Sequence, residues 1–297
     1  MSEKNVIALG FFDGVHLGHG ALLKMTAERA SALGAHSAAF TFDRSPKEFV
    51  TGKSVPLLTD AEARAEWIRG LYGIDSVIVA PFDREMMTMP WEDFLTMLVE
   101  KHGAVHLVAG HDYRFGHKNA GDVARLAEWC AAHGLGCDVI PKVELDGTTV
   151  SSTYIRTLVE SGDVERAARF LGHPHTFAGA VCHGCGLGTK RLFPTANLRP
   201  GEHTIIPAHG VYAVRVLLDG REYAGVTNVG VRPTVSDGNE VTFETYVLDF
   251  SGDLYGKRLR LEFLKMLRGE QRFADVRALH DQIARDIKSA RAVAEKA

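Results

Sequence analysis

The chain lacks a long apolar segment. No stretch of its 297 residues approaches the ~18 uninterrupted apolar residues that a membrane-spanning helix requires. The first four residues, MSEK, lead straight into a predicted strand and contain no apolar signal-peptide core. The composition, 45% hydrophobic and 24% charged, is ordinary for a soluble globular protein and allows two domains. We therefore expect a cytoplasmic protein with no membrane partner.

The chain also lacks a strong net charge and a set of cysteines large enough for a disulfide framework. Its net charge of −3 provides no polybasic surface, so a nucleic-acid partner is not expected. Four cysteines in a chain of this size exclude a disulfide scaffold. Cys182 and Cys185 form a C-x-x-C near His173 and His175, but a zinc site would need two more ligands, and no thioredoxin-like helix start follows. We interpret these cysteines as reduced thiols in a loop.

Two common phosphate-binding motifs are absent from the expected places. No G-x-G-x-x-G follows the first predicted strand, as a dinucleotide-binding fold would require. Residues 52–54 (GKS) look like the end of a Walker A loop, but Lys47 occupies the place of its first glycine. We interpret that tripeptide as a solvated loop.

A different phosphate-binding pattern occupies residues 10–19, which read GFFDGVHLGH and follow a short apolar run. Backbone N–H groups and the dipole at a helix start attract phosphate oxygens, and Gly14 and Gly18 let the backbone approach a ligand closely. His16 and His19 share one helix face and can donate to phosphate oxygens during displacement at phosphorus. The simpler alternative, a turn with two surface histidines, is disfavoured by the combination of residues and spacings.

The first half of the chain alternates short apolar runs with helical patterns. Strands are predicted over residues 6–9, 37–42, 76–80, 104–109 and 137–140, and helices over 21–33, 60–71, 91–101 and 122–133. This alternation predicts a parallel sheet covered on both faces. Ligands bind beyond the carboxyl ends of such strands. The loops over residues 10–19, 41–43 and 110–116 should therefore face one crevice.

Residues 150–156 (VSSTYIR) lead into a further helical run. Their hydroxyl groups can cap this helix or bind an anion at its start, and capping is the simpler interpretation. Arg156, one helical turn further on, can add a planar fork for phosphate.

The pattern changes near residues 173–175, where we predict the boundary between domains 1–172 and 173–297. Period-two runs over residues 210–218, 222–230, 241–249 and 258–266 are separated by turns such as Asp219-Gly220. They predict a small antiparallel barrel. Beyond Ala274, the apolar face formed by Val276, Leu279, Ile283 and Ile287 predicts a final helix packed on this barrel.

A second candidate site lies in the segment FPTAN, residues 193–197, which follows a glycine-rich stretch over 184–188. Thr195 and Asn197 point the same way on an extended chain, and their hard oxygen atoms suit magnesium. They can equally be turn formers beside proline. Glu244, an acid within an otherwise apolar strand, is either a solvated outward-facing group or a general base, and the sequence alone favours the former.

Resemblance to known families changes these alternatives. Residues 10–19 match the H-x-G-H signature of nucleotidyltransferases and, in the longer form G-x-F-D-G-x-H-x-G-H, resemble the bacterial FAD synthetases. FPTAN, residues 225–234 (GVTNVGVRPT), residues 244–250 (ETYVLDF) and residues 252–257 (GDLYGK) resemble riboflavin kinase in order and spacing. Nearly the whole chain thus resembles the bacterial bifunctional riboflavin kinase/FMN adenylyltransferases. The resemblance implies an α/β nucleotidyltransferase domain followed by a six-stranded flavokinase barrel with a C-terminal helix.

The resemblance also implies two reactions: riboflavin and ATP give FMN, and FMN and a second ATP give FAD and pyrophosphate. It implies that His16 and His19 stabilise adenylyl transfer, that Glu244 is the kinase base, and that magnesium enters with ATP. The residues that it assigns to ATP are Gly10, Phe11, Phe12, Asp13, Gly14, His16, Gly18, His19, Ser152, Thr153, Arg156, Gly188, Thr195 and Asn197. Thr195 and Asn197 would hold the magnesium. Those assigned to flavin are Asp112, Arg268, Glu270 and Phe273.

The chain departs from the family pattern at several positions. Phe11 stands where asparagine is most common, and residues 44–46 (RSP) replace a usual Pro-His-Pro. Thr189 and Leu192 occupy places commonly held by arginine and glycine, which affects nucleotide binding in the kinase half. Two other functions stay open at this point: a nucleotidyltransferase for another substrate, and a flavin sensor whose barrel binds without turnover. The sequence gives no oligomeric state.

Overall fold

The computed structural model describes residues 4–182, 195–201, 203–233 and 239–296. The chain divides into two compact units, residues 1–152 and 153–297. This division precedes the predicted boundary at 172/173 by the length of two helices. Compactness alone does not establish which segment folds independently, so the boundary at 172/173 stays a prediction.

The first unit alternates strands and helices. Its strands are β1 (Asn5–Leu9), β2 (His36–Phe42), β3 (Ser76–Ala80), β4 (Ala104–Gly110), β5 (Gly136–Ile140), β6 (Glu144–Leu145) and β7 (Thr148–Thr149). Its helices are α1 (Leu17–Leu33), α2 (Pro46–Thr51), α3 (Ala61–Tyr72), α4 (Arg84–Thr88), α5 (Trp91–His102) and α6 (Val123–Ala132), with a short 3₁₀ helix at His117–Asn119. All five predicted strands and all four predicted helices are present. The short elements α2, α4, β6 and β7 were not predicted.

The five longer strands form one parallel sheet in the order β3-β2-β1-β4-β5. Alternate residues of β1 face the two layers of helices. Val6 and Ala8 pack in one core with Leu23 of α1, while Ile7 and Leu9 pack in the other with helices α5 and α6. The predicted doubly covered parallel sheet is therefore confirmed. Because β1, β2 and β4 are neighbours and run parallel, their carboxyl ends meet at one edge.

The second unit carries two helices, α7 (Ser152–Glu160, whose first residue belongs to the first unit) and α8 (Val164–Leu171), followed by a barrel. The barrel strands are β8 (His175–Cys182), β9 (Ala196–Leu198), β10 (Gly210–Leu218), β11 (Arg221–Pro233), β12 (Asn239–Val247) and β13 (Arg258–Gly269). They close in the order β10-β11-β12-β9-β8-β13 with antiparallel pairs. The predicted barrel is confirmed. Two of its six strands, β8 and β9, lie outside the four period-two runs from which it was predicted.

The barrel core is built from inward-facing residues of all six described strands. Phe177, Phe243 and Phe263 lie at its centre, and the rings of Phe177 and Phe243 stack with centroids 4.3 Å apart. Val164 of α8 joins this core, so α8 packs on the barrel. Cys182 is the last residue of β8 and not part of a loop, and its Sγ donates to the carbonyl of Asn197 at 3.3 Å. Cys185 lies outside the described residues.

The C-terminal helix α9 (Val276–Ala294) packs on β10, β11 and β13, as predicted. Three residues of the predicted apolar face, Leu279, Ile283 and Ile287, are half-buried, whereas Val276 is 77% exposed. Asp286 and Ala290, which share that side of the helix, are buried. Asp286 pairs with Arg268 of β13 and so places a carboxylate at the interface. No helix within the described ranges is long and apolar enough to cross a membrane.

Candidate functional sites

The turn between β1 and α1 is held in an unusual backbone conformation. Phe12, Gly14 and Val15 all have positive φ, at 56°, 81° and 40°. Only glycine adopts such angles without strain, so the two flanking residues hold a conformation that surrounding contacts must enforce. The N–H of Gly14 donates to Thr59 Oγ1 at 3.0 Å. The ring of Phe12 is buried in the core and meets His19 edge-on, and the predicted ATP contact Gly10 abuts that ring.

Asp13 connects this turn by hydrogen bonds to the segment that precedes α3. Its buried Oδ1 accepts hydrogen bonds from the N–H groups of Leu58 and Thr59 at 2.9 and 3.1 Å. The hydroxyl of Ser152 donates to the carbonyl of Asp13 at 2.9 Å, so Ser152 lies at this turn. The Asp13 carboxylate thus accepts two backbone hydrogen bonds within the fold.

His16 and His19 lie together at the start of α1. His16 is the N-cap of this helix, and its Nδ1 accepts from the N–H of His19 at 3.2 Å. An Nδ1 that accepts carries no proton, so the neutral His16 ring has its proton on Nε2. The two rings stack with centroids 3.6 Å apart and planes 10° apart. Gly18 leaves room for the His16 ring, because a Cβ at residue 18 would lie 3.1 Å from that ring and would crowd it.

His19 is held neutral by its surroundings. Burial, followed by the charges of His16 and Arg64, lowers the pKa of His19 well below its ordinary value of 6.5. The Nδ1 of His19 is buried without a hydrogen-bond partner among the described residues. Two stacked imidazoles cannot both be protonated at low energetic cost, because like charges at this distance repel. The pair therefore presents N–H donors, without a second positive charge, at the positive end of a helix.

Arg64 of α3 is a residue of this region that the sequence patterns did not single out. Its side chain is fully buried, its Nη1 donates to the carbonyl of Phe11 at 2.6 Å, and its guanidinium lies 4.3 Å from the centroid of the Phe11 ring. Phe11, the departure from the family asparagine, is therefore in contact with Arg64 through both its ring and its backbone. The sequence feature that could have identified Arg64 as buried is its spacing, because Arg64 precedes buried Ile68 by four residues and so shares its helix face.

The neighbouring strand ends supply polar and aromatic groups. Asp112 lies exposed in the loop after β4, at the strand edge shared with β1. At the end of β2, Phe42 packs on Phe82 with ring centroids 5.0 Å apart, and Phe82 on Phe49 at 5.6 Å. Phe49 keeps 37% of its surface exposed. This aromatic cluster, Phe42, Phe49 and Phe82, was not predicted as part of a site.

Thr153 and Arg156 follow Ser152 in α7, with Thr153 exposed and Arg156 half-buried. They belong to the second unit, whereas Ser152 belongs to the first. Their part in nucleotide binding stays a prediction.

On the barrel, strand register brings three polar side chains side by side. Glu244 of β12 lies opposite Asn228 of β11 on one side and Asn197 of β9 on the other. Phe243 and Val247 of β12 point into the core, so alternation along the strand places Glu244 on the outer face. Glu244 is half-buried there and Asn197 is buried. Directly opposed residues share a face, so an acid and two amides form one row across three strands.

The other residues predicted for the kinase half are placed as follows. Thr195 is exposed and immediately precedes β9, two residues before Asn197. Gly188, Thr189 and Leu192 lie outside the described residues.

The predicted flavin-covering segment begins at the end of β13. Arg268 forms a two-pronged ion pair with Asp286 of α9, at 3.1 and 3.0 Å, and its guanidinium lies 5.6 Å from the ring centroid of Phe273. The carboxylate of Glu270 lies against Gly230, where a Cβ would come within 2.6 Å of Glu270 Oε1 and 3.2 Å of Asn228 Nδ2. Glu270 is therefore adjacent to the row of Glu244, Asn228 and Asn197.

Comparison with known proteins gives matches over both units. The family model for FAD synthetase matches residues 1–154, and that for riboflavin kinase matches residues 171–294. The bifunctional riboflavin kinase/FMN adenylyltransferase of Pseudomonas fluorescens is 39% identical over 290 residues, with 97% of this chain and 93% of that protein covered. The protein of the same description from Escherichia coli K12 is 36% identical over 292 residues, covering 97% and 92%.

A solved structure from Streptococcus pneumoniae, described as a macrolide-efflux protein, has a similar fold. It matches with a TM-score of 0.88 at 29% identity, over 98% of this chain and 95% of that one. The two-unit architecture is thus shared with a solved protein along almost its full length.

Proposed function

The chain belongs to the family of bifunctional riboflavin kinase/FMN adenylyltransferases, and we propose that its two reactions take place at the two sites described above. It phosphorylates riboflavin with ATP to give FMN, and it transfers the adenylyl group of a second ATP to FMN to give FAD and pyrophosphate. The turn after β1 would serve the second reaction, and the outer face of the barrel the first.

The stacked pair of His16 and His19 carries the assignment of adenylyl transfer. In this reaction an oxygen of the FMN phosphate attacks the α-phosphorus of ATP, and the bond to pyrophosphate breaks. Negative charge grows on the oxygens that leave, so fixed donors aimed at them stabilise the transition state more than the ground state. The Nε2–H of His16, the second ring and the amides at the start of α1 are such donors. Ser152, Thr153 and Arg156 would hold the remaining phosphate oxygens.

The aromatic cluster of Phe42, Phe49 and Phe82 is the surface that we assign to the isoalloxazine ring of FMN. It lies at the carboxyl end of β2, next to β1, where ligands of parallel sheets bind. Planar flavin rings gain from offset or edge contacts with such side chains. Asp112, on the other side of β1, would contact the polar part of FMN.

The row of Asn197, Glu244 and Asn228 carries the assignment of riboflavin phosphorylation. The Glu244 carboxylate would accept the proton of the terminal ribityl hydroxyl as that oxygen attacks the γ-phosphorus of ATP and ADP leaves. Its two amide neighbours fix its place across the strands. Arg268, Glu270 and Phe273 would cover the bound flavin. For Arg268 this requires release from Asp286, or binding of flavin beside the existing ion pair.

Magnesium fits the donors at the start of β9. The hydroxyl of Thr195 and the amide oxygen of Asn197 are hard oxygen donors, and the Glu244 carboxylate lies on the adjacent strand. Magnesium usually completes its shell with water and substrate phosphates, which suits entry together with ATP. When bound, the ion would neutralise part of the phosphate charge, while Thr195 and Asn197 orient it.

Two variants should separate the two reactions. The double variant His16→Ala/His19→Ala should still make FMN from riboflavin, ATP and magnesium but should make FAD at least ~100-fold more slowly. Glu244→Gln keeps shape and hydrogen bonding but cannot accept the proton, so riboflavin phosphorylation should fall by ~10²–10⁴-fold. The Glu244→Gln variant should still convert added FMN to FAD at the normal rate. Chromatography of FMN and FAD measures both steps.

Matched controls exist in each unit. His133→Ala changes an exposed histidine of the first unit, and Glu222→Gln an acid on β11 whose side chain is 65% exposed. Both should leave the two rates within two-fold. Undiminished FAD formation by the histidine double variant would remove the first assignment, and riboflavin turnover within a few-fold by Glu244→Gln would remove the second. Flavin binding without any FMN product from the native protein would instead indicate a sensor.

A further inference from the structure

Buried polar atoms without hydrogen-bond partners are concentrated around one turn. Four such side-chain atoms occur among the described residues: His19 Nδ1, Arg64 Nε, Arg64 Nη2 and His175 Nε2. Three of the four belong to His19 and Arg64, whose charges are close enough to act on each other. Folded proteins satisfy nearly all buried polar groups, so a cluster of exceptions needs a specific explanation.

Arg64 is a buried cation that no carboxylate pairs with in the described part of the chain. The acidic groups whose charges act on it are Asp13, Asp60 and Asp43. Each of them accepts a backbone hydrogen bond elsewhere: Asp13 from residues 58 and 59, Asp60 at the start of α3, and Asp43 from the N–H of residue 82. Burial lowers the pKa of Arg64 to about 10, so the guanidinium stays charged at neutral pH, and among the described residues only its Nη1 is hydrogen-bonded.

The partners that Arg64 does have belong to the turn and to the adjacent strand. Its Nη1 donates to the carbonyl of Phe11 at 2.6 Å and to Thr41 Oγ1 at 3.3 Å, and Thr41 Oγ1 itself donates to the same carbonyl at 2.9 Å. One carbonyl oxygen of the turn is thus held by two side chains. Because Phe12 follows with a positive φ of 56°, this anchor holds the chain where the strained backbone begins.

We propose that Arg64 is a positioning residue for adenylyl transfer, which fixes the turn through the Phe11 carbonyl and supplies from beneath it a buried positive charge for the phosphates of ATP. A charge in a low-dielectric surrounding acts over a longer distance than one in water and is screened less by salt. Burial makes this cation unfavourable in the free protein, an effect that the charges of Asp13, Asp60 and Asp43 offset only in part, and a bound polyanion would add a further favourable interaction. The inference rests on the proposed placement of adenylyl transfer at this turn.

A purely structural role and the proposed role predict opposite results for Arg64→Met. Replacing a buried cation that has no carboxylate hydrogen-bonded to it with an apolar side chain of similar length removes the free-energy cost of burying the charge. We therefore expect the midpoint of thermal unfolding to stay the same or rise. The kcat/KM of FMN adenylylation should nevertheless fall about 100-fold, with a higher KM for ATP, in the range found when donors or their supporting residues are removed. Riboflavin phosphorylation should stay within two-fold.

Arg69→Met is the matched control, because Arg69 lies on the same helix, carries the same charge and is exposed. It should leave both activities within two-fold. Arg64→Lys keeps the charge and loses the planar fork, so its KM for ATP should stay closer to that of the native protein than the KM of Arg64→Met, while kcat falls. These measurements use the full-length protein with saturating FMN.

Several outcomes would overturn the proposal. Adenylylation by Arg64→Met within three-fold of the native rate would show that the charge is not used. Equal loss of both activities with a lower unfolding midpoint would assign Arg64 to the stability of the fold. If Arg64→Met does not fold, Arg64→Lys decides, and a KM for ATP raised ten-fold or more in that variant would exclude the charge as the cause. If His16→Ala/His19→Ala loses FAD formation while Arg64→Met does not, this inference fails and the proposed site stands.

Discussion

Acidification should destabilise the barrel unit through one buried histidine. His175 of β8 keeps only 2% of its surface exposed, and its Nε2 has no hydrogen-bond partner among the described residues. Its ring lies 5.7 Å from that of Phe263 in the barrel core. Burial, with a smaller contribution from the charge of His173, lowers the pKa of His175 from 6.5 to about 3. The folded barrel therefore holds this ring in its neutral form.

The magnitude follows from proton linkage. Since the pKa of His175 is lower in the folded than in the unfolded chain, the unfolded chain binds one more proton between about pH 6.5 and pH 3. The stability that depends on neutral His175 is fully present above pH 6.5 and is lost as the pH falls from 6.5 to 3. From pH 7 to pH 4.5 the single histidine lowers the free energy of unfolding by about 2.5 kcal/mol. For a unit of this size that corresponds to a midpoint lowered by roughly 8 °C.

The assay compares the native protein with His175→Leu at both pH values. Urea unfolding of the full-length protein gives the free energies, and hydrogen exchange of β8 and β13 confirms that the barrel is the unit that responds. Other groups also titrate in this range, so the difference between the two proteins is the informative quantity. His175→Leu should lose about 2.5 kcal/mol less than the native protein between pH 7 and pH 4.5. His280→Leu, at a histidine whose side chain is 41% exposed, should behave like the native protein. Equal losses in native protein and His175→Leu would refute the reasoning.

Two further predictions concern the fold around each site. Asp13→Ala leaves two buried backbone N–H groups without their acceptor and should lower the free energy of unfolding of the first unit, measured in urea, by ~2–4 kcal/mol. Asp13→Asn keeps one oxygen and should lower it less. Equal effects of the two variants would mean that these hydrogen bonds contribute little. A fragment of residues 153–297 should unfold at higher urea than a fragment starting at Leu171, because the shorter one lacks Val164, whose burial in the barrel core contributes ~1.5–3 kcal/mol. Equal midpoints would instead support the boundary at 172/173.

The long helices and strands were predictable from sequence because each repeats its pattern of apolar and polar residues over several turns or strand positions. All five parallel strands and all four long helices of the first unit follow from apolar runs and amphipathic spacing. The short helices α2 and α4, of six and five residues, carry too few turns to show a period. Strand β8 reads HTFAGAVC, in which small residues weaken the alternation, so no strand was predicted there and Cys182 was interpreted as a thiol in a loop.

The candidate sites were predictable where a motif is local and not where a side chain acts across the fold. His16, His19 and Ser152 were identified from short motifs, and the structure brings all three to one turn. Arg64 lies more than 40 residues along the chain from that turn and reaches it only through the packing of α3. The aromatic cluster after β2 likewise combines rings from three separate segments. Contacts of this kind depend on tertiary structure, which periodicity does not encode.

The row of Asn197, Glu244 and Asn228 makes kinase turnover a sensitive report on how the barrel has assembled. If β12 paired with its neighbours one residue out of register, every side chain of β12 would change face. The carboxylate of Glu244 would enter the apolar interior, and either Phe243 or Thr245 would take its place outside. A refolded or engineered barrel can regain its strand content and still be misaligned in this way. If Glu244 is the base, as we propose, riboflavin phosphorylation would then be lost. A turnover assay would therefore distinguish a barrel in the correct register from a misaligned barrel with the same strand content.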